Sequence, residues 1–115
     1  MNVIDLLETA RAIPVRGGDR PATAIALDTP DVRVVLFRLA PGQAVPPHTS
    51  PSTVVLSVIS GQGWVVGAEG ERSCRVGEVI AYAPEERHGM RAGDRELVIA
   101  ATIAPRPGSK AKAAA

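Results

Sequence analysis

Residues Gly42–Gly61 read G-Q-A-V-P-P-H-T-S-P-S-T-V-V-L-S-V-I-S-G. The stretch opens on Gly42 and carries one histidine, His48, on a Pro-rich approach. It then runs mainly through β-branched and aliphatic residues to Gly61. A second stretch, Gly77–His88, reads G-E-V-I-A-Y-A-P-E-E-R-H. It begins on a glycine, passes a short apolar run, turns at Pro84 and ends on the chain's other histidine, His88. Short apolar runs closed by glycine and proline are the pattern of strands joined by turns.

The same rhythm extends outward from both stretches. Thr23–Asp28 alternates, with Ile25 and Leu27 on one face, and Thr29-Pro30-Asp31 turns the chain. Val32–Leu39 is apolar on both faces apart from Arg33 and Arg38, which predicts a strand covered on both sides. Thr53–Ile59, Gly63–Ala68, Arg72–Val76, Val79–Tyr82 and Glu96–Ile103 complete the series. Turns are expected at Ser60-Gly61, Glu69-Gly70-Glu71, Gly77, Pro84 and Gly93-Asp94. Many short strands with no βαβ alternation and no internal repeat indicate an all-β sandwich or small barrel. Ahead of them, Val3, Leu6, Leu7, Ala10 and Ile13 recur at helical spacing, predicting a helix over residues 2–13 capped by Asn2 and stopped by Pro14. A helix this short needs a surface to dock on, either its own domain or a neighbouring subunit.

Composition bounds the function. The chain has 115 residues, enough for one domain with a real core. That core must be aliphatic, because there is one Trp, one Tyr and one Phe. A net charge of +1 gives no bulk electrostatic case for nucleic acid or a membrane surface. The single cysteine, Cys74, allows no intrachain disulfide. Asp5 and Glu8 interrupt the N-terminal apolar residues, so no secretory signal is read there, and no run reaches the ~20 apolar residues of a membrane span. A cytoplasmic protein is the expectation. The division expected is residues 1–22 for helix and turn, 23–105 for the barrel, and 106–115 for a disordered tail rich in Ala, Pro and Lys.

The two stretches together resemble the cupin superfamily, whose fold is a small antiparallel β-barrel, the jelly roll or double-stranded β-helix. The first family motif is a glycine, five residues, His-x-His, three or four residues, a Glu, six residues and a glycine. Here Gly42, His48, Ser50, Val54 and Gly61 keep that spacing. The second motif opens with a glycine and an acid, reaches a proline turn, and places a histidine eleven residues after the glycine. Gly77-Glu78, Pro84 and His88 match. Fifteen residues, Gln62 to Val76, lie between, and the resemblance covers residues 23 to 104. It implies a cupin barrel and, as in many small cupins, a homodimer. The two-sided strand Val32–Leu39 and the undocked helix point to association as well.

The resemblance also implies a metal site, and this chain departs from it. The family's four ligand positions fall on His48, Ser50, Val54 and His88. A serine hydroxyl is a poor transition-metal ligand beside imidazole, and valine cannot ligate. Two imidazoles fall short of the three or four protein ligands that zinc sites use. If His48, Ser50 and Val54 face inward, period two carries Leu56 and Val58 inward too, and His88 brings Met90. Candidate ligand-binding residues are therefore His48, Ser50, Val54, Leu56, His88 and Met90, lining an apolar pocket with two imidazoles. The expectation is a small-molecule-binding or sensory cupin without a tightly held metal or other cofactor. The alternative is a cupin enzyme, of dioxygenase or isomerase type, using a divalent metal on His48 and His88. Whether the chain is an enzyme stays open. Glu86 is a candidate third ligand; Cys74 reads as a buried small hydrophobe; Trp64 reads as core or interface, or else as a stacking surface at a pocket rim. Tyr82 either walls the sandwich or hangs its hydroxyl into a cavity.

Overall fold

In a computed structural model that describes residues 1–108, seven strands follow one short helix. They are α1 (Leu6–Arg11), β1 (Ala22–Asp28), β2 (Arg33–Leu39), β3 (Ala44–His48), β4 (Thr53–Gly67), β5 (Gly70–Arg75), β6 (Val79–Tyr82) and β7 (His88–Ala104). All pairings are antiparallel. The sheet order is β1-β2-β7-β4-β5, with β3 on β7 and β6 on β4.

The two long strands are the spine. β4 pairs with β7 along nearly its whole length, while its first half also carries β6 and its second half β5. β7 carries β3 at its start and β2 at its end. The expected turns at Ser60-Gly61 and Gly93-Asp94 are instead irregularities inside these strands. The register slips between Val58 and Ser60 and again between Gly61 and Gly63. Ile59 is the extra residue at the first slip, so Val54, Leu56 and Val58 point inward before it and Val65 after it. Bulges of this kind let one strand bend and serve both layers of a roll.

Alternation then separates two apolar clusters. Inside the barrel lie Leu39, Val54, Leu56, Val58, Leu97 and Ile99, among others. Outside, Leu36, Val98 and Ala100 meet Ala10 and Ile13 of the N-terminal segment. The helix is shorter than its periodicity suggested, because Asp5 rather than Asn2 caps it, its carboxylate accepting from Glu8 N at 2.9 Å. It docks on its own sheet. The cover required by the two-sided strand β2 is thus supplied within the chain, and that strand is no longer an argument for a second subunit.

Two buried polar side chains, unremarked in the sequence, fasten the ends. Gln43 is almost fully buried; its Oε1 accepts from Ala40 N, and its Nε2 donates to the carbonyls of Arg16 and Gly18. Ser52 Oγ donates to Pro105 O at 2.7 Å. Truncating Gln43 strands three backbone groups, so Gln43→Ala is expected to cost about 2–3 kcal/mol, read as a lower urea midpoint at unchanged slope.

The expected tail over 106–115 starts too early. Arg106 N donates to Asp31 O, and its guanidinium grips Asp28 at 2.6 and 3.0 Å. Residues 109–115 of that tail lie outside the described residues. Asp28 also accepts two bonds from Arg33. The hydrogen bonds from Arg106, then those from Arg33, hold the Asp28 carboxyl well below its ordinary value of 3.8. Its folded pKa is depressed, so its contribution to stability is complete above that ordinary value and fades as pH falls below it. Asp28→Asn is therefore expected to flatten the acid limb: comparing urea midpoints at pH 7 and pH 3, the wild type loses more than the variant.

Candidate functional site

His48 ends β3 and His88 begins β7, and their Cα atoms are direct partners across that pair. Three local features bring them together. Pro46 and Pro47 lack an N–H, so β3 pairs at Val45 and His48 with a register shift between. Gly89 follows His88, and a Cβ there would sit 2.9 Å from Val45 O and 3.1 Å from Pro47 N. Its bare backbone lets β3 lie close on β7. Finally, the loops bearing the two histidines are tied, because Glu85 N donates to Ser50 O at 2.7 Å. Glu85 holds a left-handed backbone at φ 67°, which fixes the approach to His88.

The imidazole rings lie 4.2 Å apart between centroids, tilted by 57°. His88 is 5% exposed, whereas His48 faces solvent. Each Nδ1 sits 3.0 Å from a carbonyl oxygen two residues back, Pro46 O for His48 and Glu86 O for His88. A carbonyl oxygen only accepts, so both protons are on Nδ1 and both Nε2 atoms keep a free lone pair when the rings are neutral. Tyr82 packs beside His88, with centroids 5.2 Å apart. Its hydroxyl donates to Val66 O at 2.8 Å, and burial pushes its pKa up. Tyr82 therefore walls the interior and offers no free hydroxyl.

The other candidates have different settings. Val54, Leu56 and Met90 belong to the closed inner cluster. They do not line the cavity at Trp64 or the one at Tyr82. Ser50 is a turn residue whose Oγ accepts from Ser52 N. Glu86 folds back on its own turn, its carboxylate accepting from Ala83 N at 2.9 Å. Cys74 is buried, and desolvation raises its thiol pKa, so the flanking arginines do not activate it.

These donors do not fit a tightly held metal. Among the described residues no group of three His, Cys, Asp or Glu side chains converges. The position where the family places a carboxylate is Val54, sealed in the core.

The family model described as the AraC-like ligand binding domain matches residues 33–108, from the start of β2 past the end of β7. The chain belongs to this family. No curated protein matches it in sequence. Among solved structures, this AraC-like ligand-binding domain is similar to an RmlC-like cupin protein of Desulfovibrio desulfuricans at 27% identity, TM-score 0.76, covering 91% of this chain and 97% of that one. A Thermus thermophilus protein superposes with TM-score 0.81 at 23% identity, covering 93% and 100%. An uncharacterised conserved protein from Klebsiella pneumoniae, described by its double-stranded β-helix domain, gives TM-score 0.76 at 24% identity, covering 91% and 90%. The cupin fold expected from the motif spacing is thereby shown. Among the described residues no helix is long and apolar enough to cross a membrane.

One feature of this AraC-like domain is only half visible in sequence. Trp64, 37% exposed, stands on the outer face of β4 beneath the Arg91 guanidinium, 4.9 Å from its ring. Glu71 holds that guanidinium with two bonds, of 2.6 and 3.0 Å. Trp64 walls a cavity of about 510 Å³ rather than filling the core.

Proposed function

We propose that this domain is a ligand-binding cupin module that holds a small polar molecule at the barrel mouth through His48 and His88, without a tightly bound metal. The observation that carries this reading is the convergence of two imidazoles whose Nδ1 atoms are already spent on backbone carbonyls. Two Nε2 lone pairs on neighbouring rings, that of His88 reaching the surface from an otherwise buried side chain, suit a ligand hydroxyl, amide N–H or un-ionised acid that donates to them. Family membership supports ligand binding in general and leaves the molecule unnamed. The packed interior favours a ligand seated over the histidines, with Val54, Leu56 and Met90 as the floor beneath them rather than the walls of a deep pocket.

The rival reading is a metal-dependent enzyme of the same fold. In its favour, an imidazole that donates Nδ1–H to a carbonyl is oriented as metal-ligating histidines are. Against it stands the missing third donor. Long-range ¹H–¹⁵N spectra of the histidine rings distinguish the two. A bound polar ligand should shift both Nε2 resonances and survive exhaustive chelation. Loss of the perturbation on chelation would favour the metal reading. A homodimer and a cytoplasmic location accord with this proposal as a small soluble sensor, and sedimentation tests the former.

A further inference from the structure

The cavity beside Trp64 is not lined by the histidines; it lies where β4 meets β5 and the irregular part of β7, with one wall on the outer face. Gln62 and Trp64 share that face by period two, and they pair with Arg75 and Ser73 of β5. On the other side, Gly93 and Asp94 complete the wall. The volume of about 510 Å³ falls in the range of small-molecule sites.

Its charges are arranged in a specific way. Arg72 and Glu78 also line it, and they engage each other at 3.7 Å. Glu78 further accepts from Arg75 N. Among the described residues, by contrast, the Arg75 guanidinium and the Asp94 carboxylate make no ion pair or side-chain hydrogen bond. They do not pair with each other, because β4 separates β5 from β7. Two strand spacings put their backbones about 10 Å apart. Between them Gln62 offers an amide and Ser73 a hydroxyl, also without side-chain partners among the described residues. The Arg91 guanidinium, held by Glu71, lies over the indole of that wall.

We propose that this outer cavity is a second binding site, for a free α-amino acid or similar zwitterion. Arg75 takes the carboxylate, Asp94 takes the ammonium, and the side chain packs on Trp64. A cavity with one free positive and one free negative group on opposite walls complements a molecule carrying both charges. A simple anion would meet Asp94, and a simple cation would meet Arg75, so either leaves one like-charge contact. The indole wall adds preference for flat or apolar side chains.

Trp64 is the chain's only tryptophan, so its indole N–H gives a single NMR cross-peak at this site. The ¹⁵N-labelled protein is titrated with L-phenylalanine, with 3-phenylpropionate, which lacks the ammonium, and with phenethylamine, which lacks the carboxylate. The remaining common amino acids complete the panel. The expected result is saturable movement of the indole peak with L-phenylalanine or another amino acid, and binding about tenfold or more weaker for each single-charge analogue. Asp94→Asn should erase the advantage over 3-phenylpropionate, and Arg75→Gln the advantage over phenethylamine. Neither substitution touches a buried group, and the remaining backbone peaks report the fold. His48→Ala should leave this titration unchanged, which separates it from the barrel-mouth site. The proposal is overturned if no amino acid gives saturable movement up to about 10 mM, or if the single-charge analogues bind as well as the zwitterion.

Discussion

Gly61→Ala is expected to leave no folded protein at room temperature. Gly61 sits at the double irregularity of β4 with φ 80°, a backbone that costs a residue with a Cβ about 1 kcal/mol or more. Strain alone would be survivable. The added Cβ, however, falls directly on the backbone carbonyl of Glu96, which belongs to the paired strand and cannot swing aside as a side chain would. The substitution therefore forces β4 and β7 apart at the point where they trade one layer for the other. A loss above about 4 kcal/mol is comparable to the whole stability of a small domain. Gly42→Ala is the matched control, since Gly42 has the same φ of 80° but nothing near its missing Cβ. It should cost only about 1 kcal/mol. Circular dichroism and urea titration of the two variants compare overlap with strain; equal effects would show that β4 and β7 are not locked at Gly61.

The second large effect concerns binding. His88→Ala is expected to weaken the barrel-mouth ligand by about 10–100-fold, the equivalent of about 1.5–3 kcal/mol for a hydrogen bond in a water-poor setting. His88 is the buried member of the pair, so its ring is the more firmly held of the two. His48 stands in solvent, and His48→Ala should weaken binding less. The ligand for this comparison comes from a thermal-shift screen of polar metabolites against the wild type, and affinities follow by calorimetry. Gly89→Ala provides an independent approach. It leaves both imidazoles in place but pushes Pro47 off β7, so it should lower affinity through their separation. If His88→Ala binds as well as the wild type, the ligand does not sit on the pair.

Much of this fold is legible in the residues. Turn residues bound β1, the first half of β4, and β6, but the face expected of β1 is wrong: a register shift parts Ile25 from Leu27, Ile25 is exposed, and Ala22, Ala24 and Ala26 turn to the helix instead. The cupin resemblance places His48 and His88 on matching positions of two motifs, and the structure puts their Cα atoms opposite each other. Other parts resist reading for definite physical reasons. β3 reads as a loop because two prolines interrupt it, yet a strand that pairs at alternate positions tolerates them. Gly61 and Gly93 punctuate the sequence, but the residue type does not say whether the chain turns or bulges there. Only the cross-strand register decides, and it depends on a strand thirty residues away. Asn2 and Asp5 are both good caps, and Asp5 is the one whose carboxylate reaches Glu8 N. The bond between Asp28 and Arg106 joins residues at opposite ends of the barrel sequence, which no local pattern encodes. The largest gap is in the site itself. Period two states which side chains point inward, but it is silent on whether they leave a cavity. Val54, Leu56 and Met90 do point inward, into one buried cluster. The outer cavity at Trp64 is hidden for the converse reason. Its parts come from three strands and look, one at a time, like ordinary surface residues.

In the proposed reading His48 and His88 receive a small molecule directly and not through a metal. Elemental analysis tests it most directly, on protein purified without metal-affinity steps, dialysed without chelator, and compared with His48→Ala and His88→Ala. Iron, manganese and zinc should lie far below one per chain in the wild type, with no difference among the three proteins. One equivalent of any of these metals in the wild type, lost in either histidine variant, would contradict it.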